Sequence, residues 1–143
     1  KSLMASTRIN ELKDHETATK WLLEVKSIFE RLDWDVHVPG RATSMKGREF
    51  EFGLLAEDDH GNKIAVEFIA GGNDRNLETI TSFYGKAMQC DVRVLYLISV
   101  PPAKPEEHSL AQYYNVPILE GRSRQEVLSQ ISEIGEHICP IAR

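Results

Sequence analysis

The side chains with chemical potential are scattered along this chain rather than gathered into a familiar constellation. Cys90 and Cys139 are the two cysteines. They have no CxxC spacing and no histidine in ligand register, so neither a zinc site nor a disulfide framework is indicated, and a reduced, cytoplasmic setting is expected. His15, His37, His108 and His137 show no HxH or HxxxH pairing, which leaves zinc or base-activated nucleophile chemistry without a partner. Asp58, Asp59 and His60 are metal-donor types, but Asp58 to Asn62 has the composition of a tight hairpin tip and is read as one. Gly71 and Gly72 ahead of a helical stretch have the start of an anion-binding turn without the rest of a Walker or dinucleotide pattern. Tyr84, Tyr96, Tyr113 and Tyr114 fall at core spacings rather than as a base-stacking row. Arg41, Lys46 and Arg48 lie in one polar stretch and are the weak candidates for phosphate contacts.

The elements that must position these residues follow from periodicity. Trp21, Leu22, Val25, Ile28, Phe29 and Leu32 recur at spacings of three and four, so residues 17–32 form a helix. Trp34, Val36 and Val38 alternate with Asp35 and His37 up to Pro39 and Gly40, the period of a strand. Residues 41–48 read as an exposed loop. Residues 49–57 read as one strand with Phe50, Phe52, Leu54 and Ala56 on one face and Glu49, Glu51, Gly53, Leu55 and Glu57 on the other. Lys63 to Ala70 returns as its antiparallel partner. With Asn73 or Asn76 as its cap, a helix carries Leu77, Ile80, Phe83, Tyr84 and Ala87 to about Cys90. Val92 to Val100 is the nearly continuous aliphatic run of a central strand covered on both faces, and Pro101 and Pro102 stop it. A short helix (106–114), a short strand (116–119) and an amphipathic helix (124–137) using Val127, Leu128, Ile131 and Ile134 complete the chain.

The resulting order is αβββαβ followed by α, β and α. The helical crossover makes its two flanking strands parallel while the hairpin stays antiparallel. The expectation is an α/β fold with a mixed central sheet and helices on both faces. With 143 residues, 41% hydrophobic and 27% charged, one core and one domain are expected over residues 1–143. The opening Lys1 to Met4 suits either a few added residues before Met4 or a domain excised from a longer protein. No apolar run approaches the roughly 18 residues of a membrane span. A net charge of −5 and a pI near 5.5 oppose general binding to a phosphate backbone.

The order and several local stretches resemble the PD-(D/E)xK restriction endonuclease-like superfamily, with its archaeal resolvase and Mrr-like members. The stretches are Trp34 to Val38, Glu49 to Ala56, Ile64 to Ile69 and Tyr114 to Gly121, so the likeness spans about residues 17–121. The resemblance implies a site in which an Asp and a Glu hold a divalent cation against phosphate. A Lys two residues after the Glu orients or deprotonates water. Here the Asp position is Gly53, the Glu position is Glu67 and the Lys position is Ile69. A lone carboxylate is a poor Mg²⁺ site, and Ile replaces no ammonium group. The expectation is a catalytically degenerate, nuclease-like domain with no cofactor. It would serve as a protein-binding or regulatory module, possible as a homodimer, in a DNA-processing or transcription assembly. The alternative is a metal-dependent nuclease or DNA-binding domain with a relocated site. Glu51 with Glu67 would then hold Mg²⁺, and Lys63 or Lys86 would supply the cation on the protein. Structural ion pairs and solvated charges are the plainer reading of those four residues. The last helix is a candidate surface for self-association.

Overall fold

A computed structural model describes residues 19–70, 74–100, 102–121 and 124–141. Side chains are described only as far as Glu133 in the last helix. Helix α1 occupies 19–31 and buries Trp21, Leu22, Val25, Ile28 and Phe29, the predicted apolar stripe. It ends where Asp33 takes a left-handed conformation (φ 67°), which the short polar side chain of Asp tolerates. Strand β1 (Asp35–His37) follows and buries Val36 alone.

Of the expected loop 41–48, only 44–48 is one. Gly40–Thr43 is strand β2 and Glu49–Phe52 is strand β3, paired antiparallel as a separate two-stranded sheet. The Ser44 hydroxyl closes their turn by accepting the Arg48 amide hydrogen at 3.1 Å, and Gly47 supplies the positive φ of 86°. The polar composition of the stretch hid the strand because β2 buries only Gly40 and Ala42. Nor is 49–57 one strand. It breaks at Gly53 into β3 and β4 (Leu54–Glu57). Phe52 therefore joins the core beside Phe83, while Leu54 and Ala56, of the same parity, join the core beside α1.

Strand β4 pairs with β1 and with β5 (Lys63–Ala70), both antiparallel. Helix α2 (Asn76–Gln89) crosses to β6 (Val94–Val100), which lies parallel to β5. Helix α3 (Pro105–Tyr113) leads to β7 (Ile118–Glu120), parallel to β6, and α4 spans Arg124–Ile141. The five-stranded sheet runs β1-β4-β5-β6-β7. Alternation along β5 divides the core. Ile64 and Val66 face α1 and α4, and Ala65 and Ile69 face α2 and α3. The expected mixed α/β sheet with helices on both faces is observed. The expected cap differs: Arg75 precedes α2 without a side-chain capping bond. Asn76 is instead buried and donates to Glu107 at 2.6 Å. Gly71, Gly72, Asn73, His15 and the side chains of Ile134, His137 and Cys139 lie outside the described residues.

Gly40 joins the two sheets. A Cβ there would sit 2.3 Å from Leu55 Cβ and 2.8 Å from its backbone nitrogen, so β2 can rest on β4 only without a side chain. Gly40→Ala is expected to cost about 1–3 kcal/mol, read as a lower urea midpoint at unchanged slope. An unchanged midpoint would mean that the ribbon does not press on β4.

Candidate functional site

The break between β3 and β4 exists to serve one carboxylate. Glu67 projects from β5 on the side of α2, and its Oε2 accepts the Gly53 amide hydrogen at 2.8 Å. A Cβ at position 53 would lie 2.2 Å from that same oxygen, with Leu22 Cδ1 and the Val66 carbonyl oxygen each at 3.1 Å. The space that an acidic side chain at 53 would need is thus taken by the Glu67 carboxylate itself.

Lys86 reaches the same point from the last turn of α2. Its Nζ lies 3.7 Å from Glu67 Oε1, donates to the backbone carbonyl oxygen of Glu51 and stands 5.1 Å from the centroid of the Phe52 ring. Both side chains are about four-fifths buried, at 18% and 19% exposure. Burial raises the Glu67 carboxyl above its ordinary pKa. The positive charge of Lys86 and the Gly53 hydrogen bond pull it back down, and the Glu51 charge adds a smaller upward push. An ammonium with a carboxylate, a carbonyl oxygen and a ring face around it is a satisfied cation, not a solvated surface charge.

The surrounding cavity has a volume of about 540 Å³ and is lined by Glu51, Gly53, Glu67 and Lys86, with Leu23 and Phe68 among its apolar walls. Of the candidate positions, then, Glu51, Gly53, Glu67 and Lys86 converge. Lys63 does not. It pairs in register with Glu57 at the far end of β5, and its charge is felt by the Cys90 thiol, whose pKa burial raises. Ile69 is 1% exposed and packed in the core against α2 and α3. The Glu51 carboxylate turns outward, 3.8 Å from Arg41 Nη2, and Arg41 also contacts Glu49 at 3.4 Å. These residues do not fit a divalent cation. One acid is held by an amide and an ammonium, the second is drawn away by a guanidinium, and the third position is glycine. Among the described residues, no three His, Cys, Asp or Glu side chains gather as a metal-ligand group.

The cationic stretch also resolves into parts. Arg41 is engaged by acids, the Arg48 guanidinium lies 5.1 Å from the Phe50 ring centroid, and Lys46 stands exposed in the turn beside Met45. At the β4–β5 tip, Asp58 accepts the backbone amides of His60 at 3.0 Å and Asn62 at 2.8 Å, the turn chemistry expected. Tyr84 and Tyr114 stack at 4.3 Å, with Tyr113 left exposed. Sequence reasoning missed Phe52 as a partner for Lys86, and it missed Glu107. That buried acid accepts the Lys104 amide at 2.8 Å and ties α3 to Asn76 of α2. The Pro-Glu-Glu start of α3 carried a signal for it, because an acid at the third helical position is placed to accept the cap amide.

No family profile matches the chain, and no curated protein does. Solved structures that are similar in fold include two proteins. One is AF1548, described as a protein of unknown function, with a TM-score of 0.55 at 15% identity over 78% of this chain and 64% of that one. The other is protein VC1899 from Vibrio cholerae, with a TM-score of 0.50 at 12% identity over 84% of this chain and 31% of that one. This chain therefore spans less than two thirds of either protein, and at such identities the likeness is one of fold alone.

The raised pKa of Glu67 has a signed consequence for stability. The folded state holds the proton more tightly than the unfolded chain, so this residue's contribution falls as pH rises. The window runs from the ordinary glutamate value of 4.5 up through the raised one. Urea unfolding of wild type and Glu67→Gln across that window should show the wild type losing stability relative to the variant. A difference independent of pH would contradict the burial of this carboxyl.

Proposed function

We propose that this chain is a catalytically degenerate member of the PD-(D/E)xK restriction endonuclease-like superfamily, retained as a binding module. The observation that carries this reading is the closed state of the site. Glu67 accepts from the Gly53 amide and pairs with Lys86, Glu51 is drawn toward Arg41, and Ile69 is sealed in the core, so the acid on β5 is already partnered and position 69 offers no lysine to a cation site. The topology supports the family assignment: the antiparallel hairpin β4–β5 is followed by a helical crossover to the parallel strand β6, as the resemblance implies. A scaffold kept with its reactive positions replaced is suited to recognition. The partner in this reading is a protein, or a second copy of the chain, within a DNA-processing or transcription assembly in the cytoplasm. No helix among the described residues is long and apolar enough to cross a membrane.

A second reading has its own observation. Glu51, Glu67 and Lys86 line one cavity, which is the set a relocated metal-dependent site would use, with Lys86 on a helix in place of a lysine at position 69. The direction of the Glu51 carboxylate toward Arg41 weighs against it. A nuclease of this kind would need Glu51 to swing inward and Lys86 to release the Glu51 carbonyl.

One experiment separates the two. Supercoiled, branched and single-stranded DNA incubated with the protein and Mg²⁺ or Mn²⁺ is expected to remain intact, with no more product than a protein-free control. Metal-dependent cutting that Glu67→Ala abolishes would overturn the degenerate reading and establish the relocated site.

A further inference from the structure

We infer that the Lys86 ammonium is the resident cation of this cleft, held by the carboxylate that the resemblance to nucleases would assign to a divalent ion. The inference rests on the degenerate reading above and adds what fills the vacated position. Two oxygen atoms converge on Lys86 Nζ, a carboxylate oxygen of Glu67 and the main-chain carbonyl oxygen of Glu51. Carboxylate and carbonyl oxygens are the donors that a hard divalent cation takes. Here they receive an ammonium delivered by α2, with the Phe52 ring as a third contact.

A cation attached to the chain never dissociates. The acid on β5 therefore has its counter-charge without any metal in solution. The geometry also accounts for the glycine. With no side chain at 53, the Gly53 amide points at Glu67 Oε2, so each oxygen of this carboxylate faces a positive partner. Among the described residues, no buried side-chain nitrogen or oxygen is left without a hydrogen-bond partner. A surface lysine would show none of this, because an ammonium is drawn into an apolar-walled cleft only where oxygen atoms replace its water.

The test is thermal unfolding of the full chain with and without MnCl₂ at matched ionic strength. The wild-type Tm is expected to be indifferent to Mn²⁺. Lys86→Met keeps the apolar stem and removes the charge. Its Tm should fall by roughly 5 °C and recover in part with excess Mn²⁺, which enters weakly between the freed oxygens, as a lone carboxylate allows. Adding Glu67→Gln should restore much of the lost Tm and abolish the Mn²⁺ response. If Lys86→Met does not fold, rescue of folding by Glu67→Gln supports the inference, and failure of the double variant overturns it. It is also overturned if Lys86→Met melts with the wild type, if Glu67→Gln relieves none of the loss, or if the wild type shows a saturable Mn²⁺ response that Glu67→Gln removes. A wild-type Mn²⁺ response at Glu67 also counts against the closed site on which the degenerate reading rests; the other outcomes leave that reading standing on Gly53 and Ile69. Metal-dependent DNA cutting by the wild type that is lost in Glu67→Ala removes both.

Discussion

Where the chain passes from β3 to β4 it must offer a main-chain amide, and nothing bulkier, to the carboxylate of Glu67. The hydrogen bond from Gly53 sets how β3 leaves the main sheet. It places Phe52 under Lys86 and on the α2 side of the core, and it returns Leu54 to the α1 side. A carboxyl four-fifths buried on a central strand would otherwise be a liability, since an uncompensated charge removed from water costs several kcal/mol. Two positive partners, the amide and the ammonium, reduce that cost without cancelling it, which is why burial still holds the carboxyl above its ordinary pKa.

The same interaction relates the two sheets. Among the described residues the β2–β3 ribbon forms no ladder with the five-stranded sheet. It is held by Gly40 resting on Leu55, by Cys90 Sγ approaching the Ala42 carbonyl oxygen at 3.7 Å and by Lys86 binding the Glu51 carbonyl. Lys86 thus does two things at once. Its charge answers Glu67 on β5, and its hydrogen bond pins β3 to α2. The cavity wall depends on both, because Glu51, Phe52 and Gly53 line it only while the ribbon stays down.

Much of the fold was legible in the sequence where one period ran unbroken. Helices α1 and α2, strand β6 and the β4–β5 hairpin follow from apolar spacings that local structure alone decides. The ribbon was not legible, because β2 presents Arg41 and Thr43 to solvent and buries only small residues, so nothing apolar marked it as a strand. The break at Gly53 was hidden for a different reason. Phe50, Phe52, Leu54 and Ala56 keep perfect alternation through it, and only a contact fourteen residues away, at Glu67, turns the chain over. Of the candidate site, Gly53 and Glu67 do meet. Lys63 shares the parity of Glu67 but sits too far along the strand to reach it. Lys86 was indistinguishable by sequence from any helical surface lysine, since its burial is created by Phe52 and Glu51 arriving from another element.

Charge and walls together describe what such a cleft is suited to hold. A phosphate-binding cleft concentrates positive potential, but here the lysine is paired with Glu67, and Arg41, beside Glu51, is paired with Glu49 and Glu51. The cations are therefore spent locally, on a chain whose net charge is −5, and long-range attraction for a polyanion is weak. Leu23, 47% exposed at the cavity rim, and Phe68 on its wall instead offer apolar surface beside a satisfied polar floor. That combination suits desolvation by a protein side chain better than contact with a sugar-phosphate backbone. Under the reading we propose, the glycine at 53, the buried Ile69 and the surface around Glu67 and Lys86 point the same way, toward recognition without cleavage.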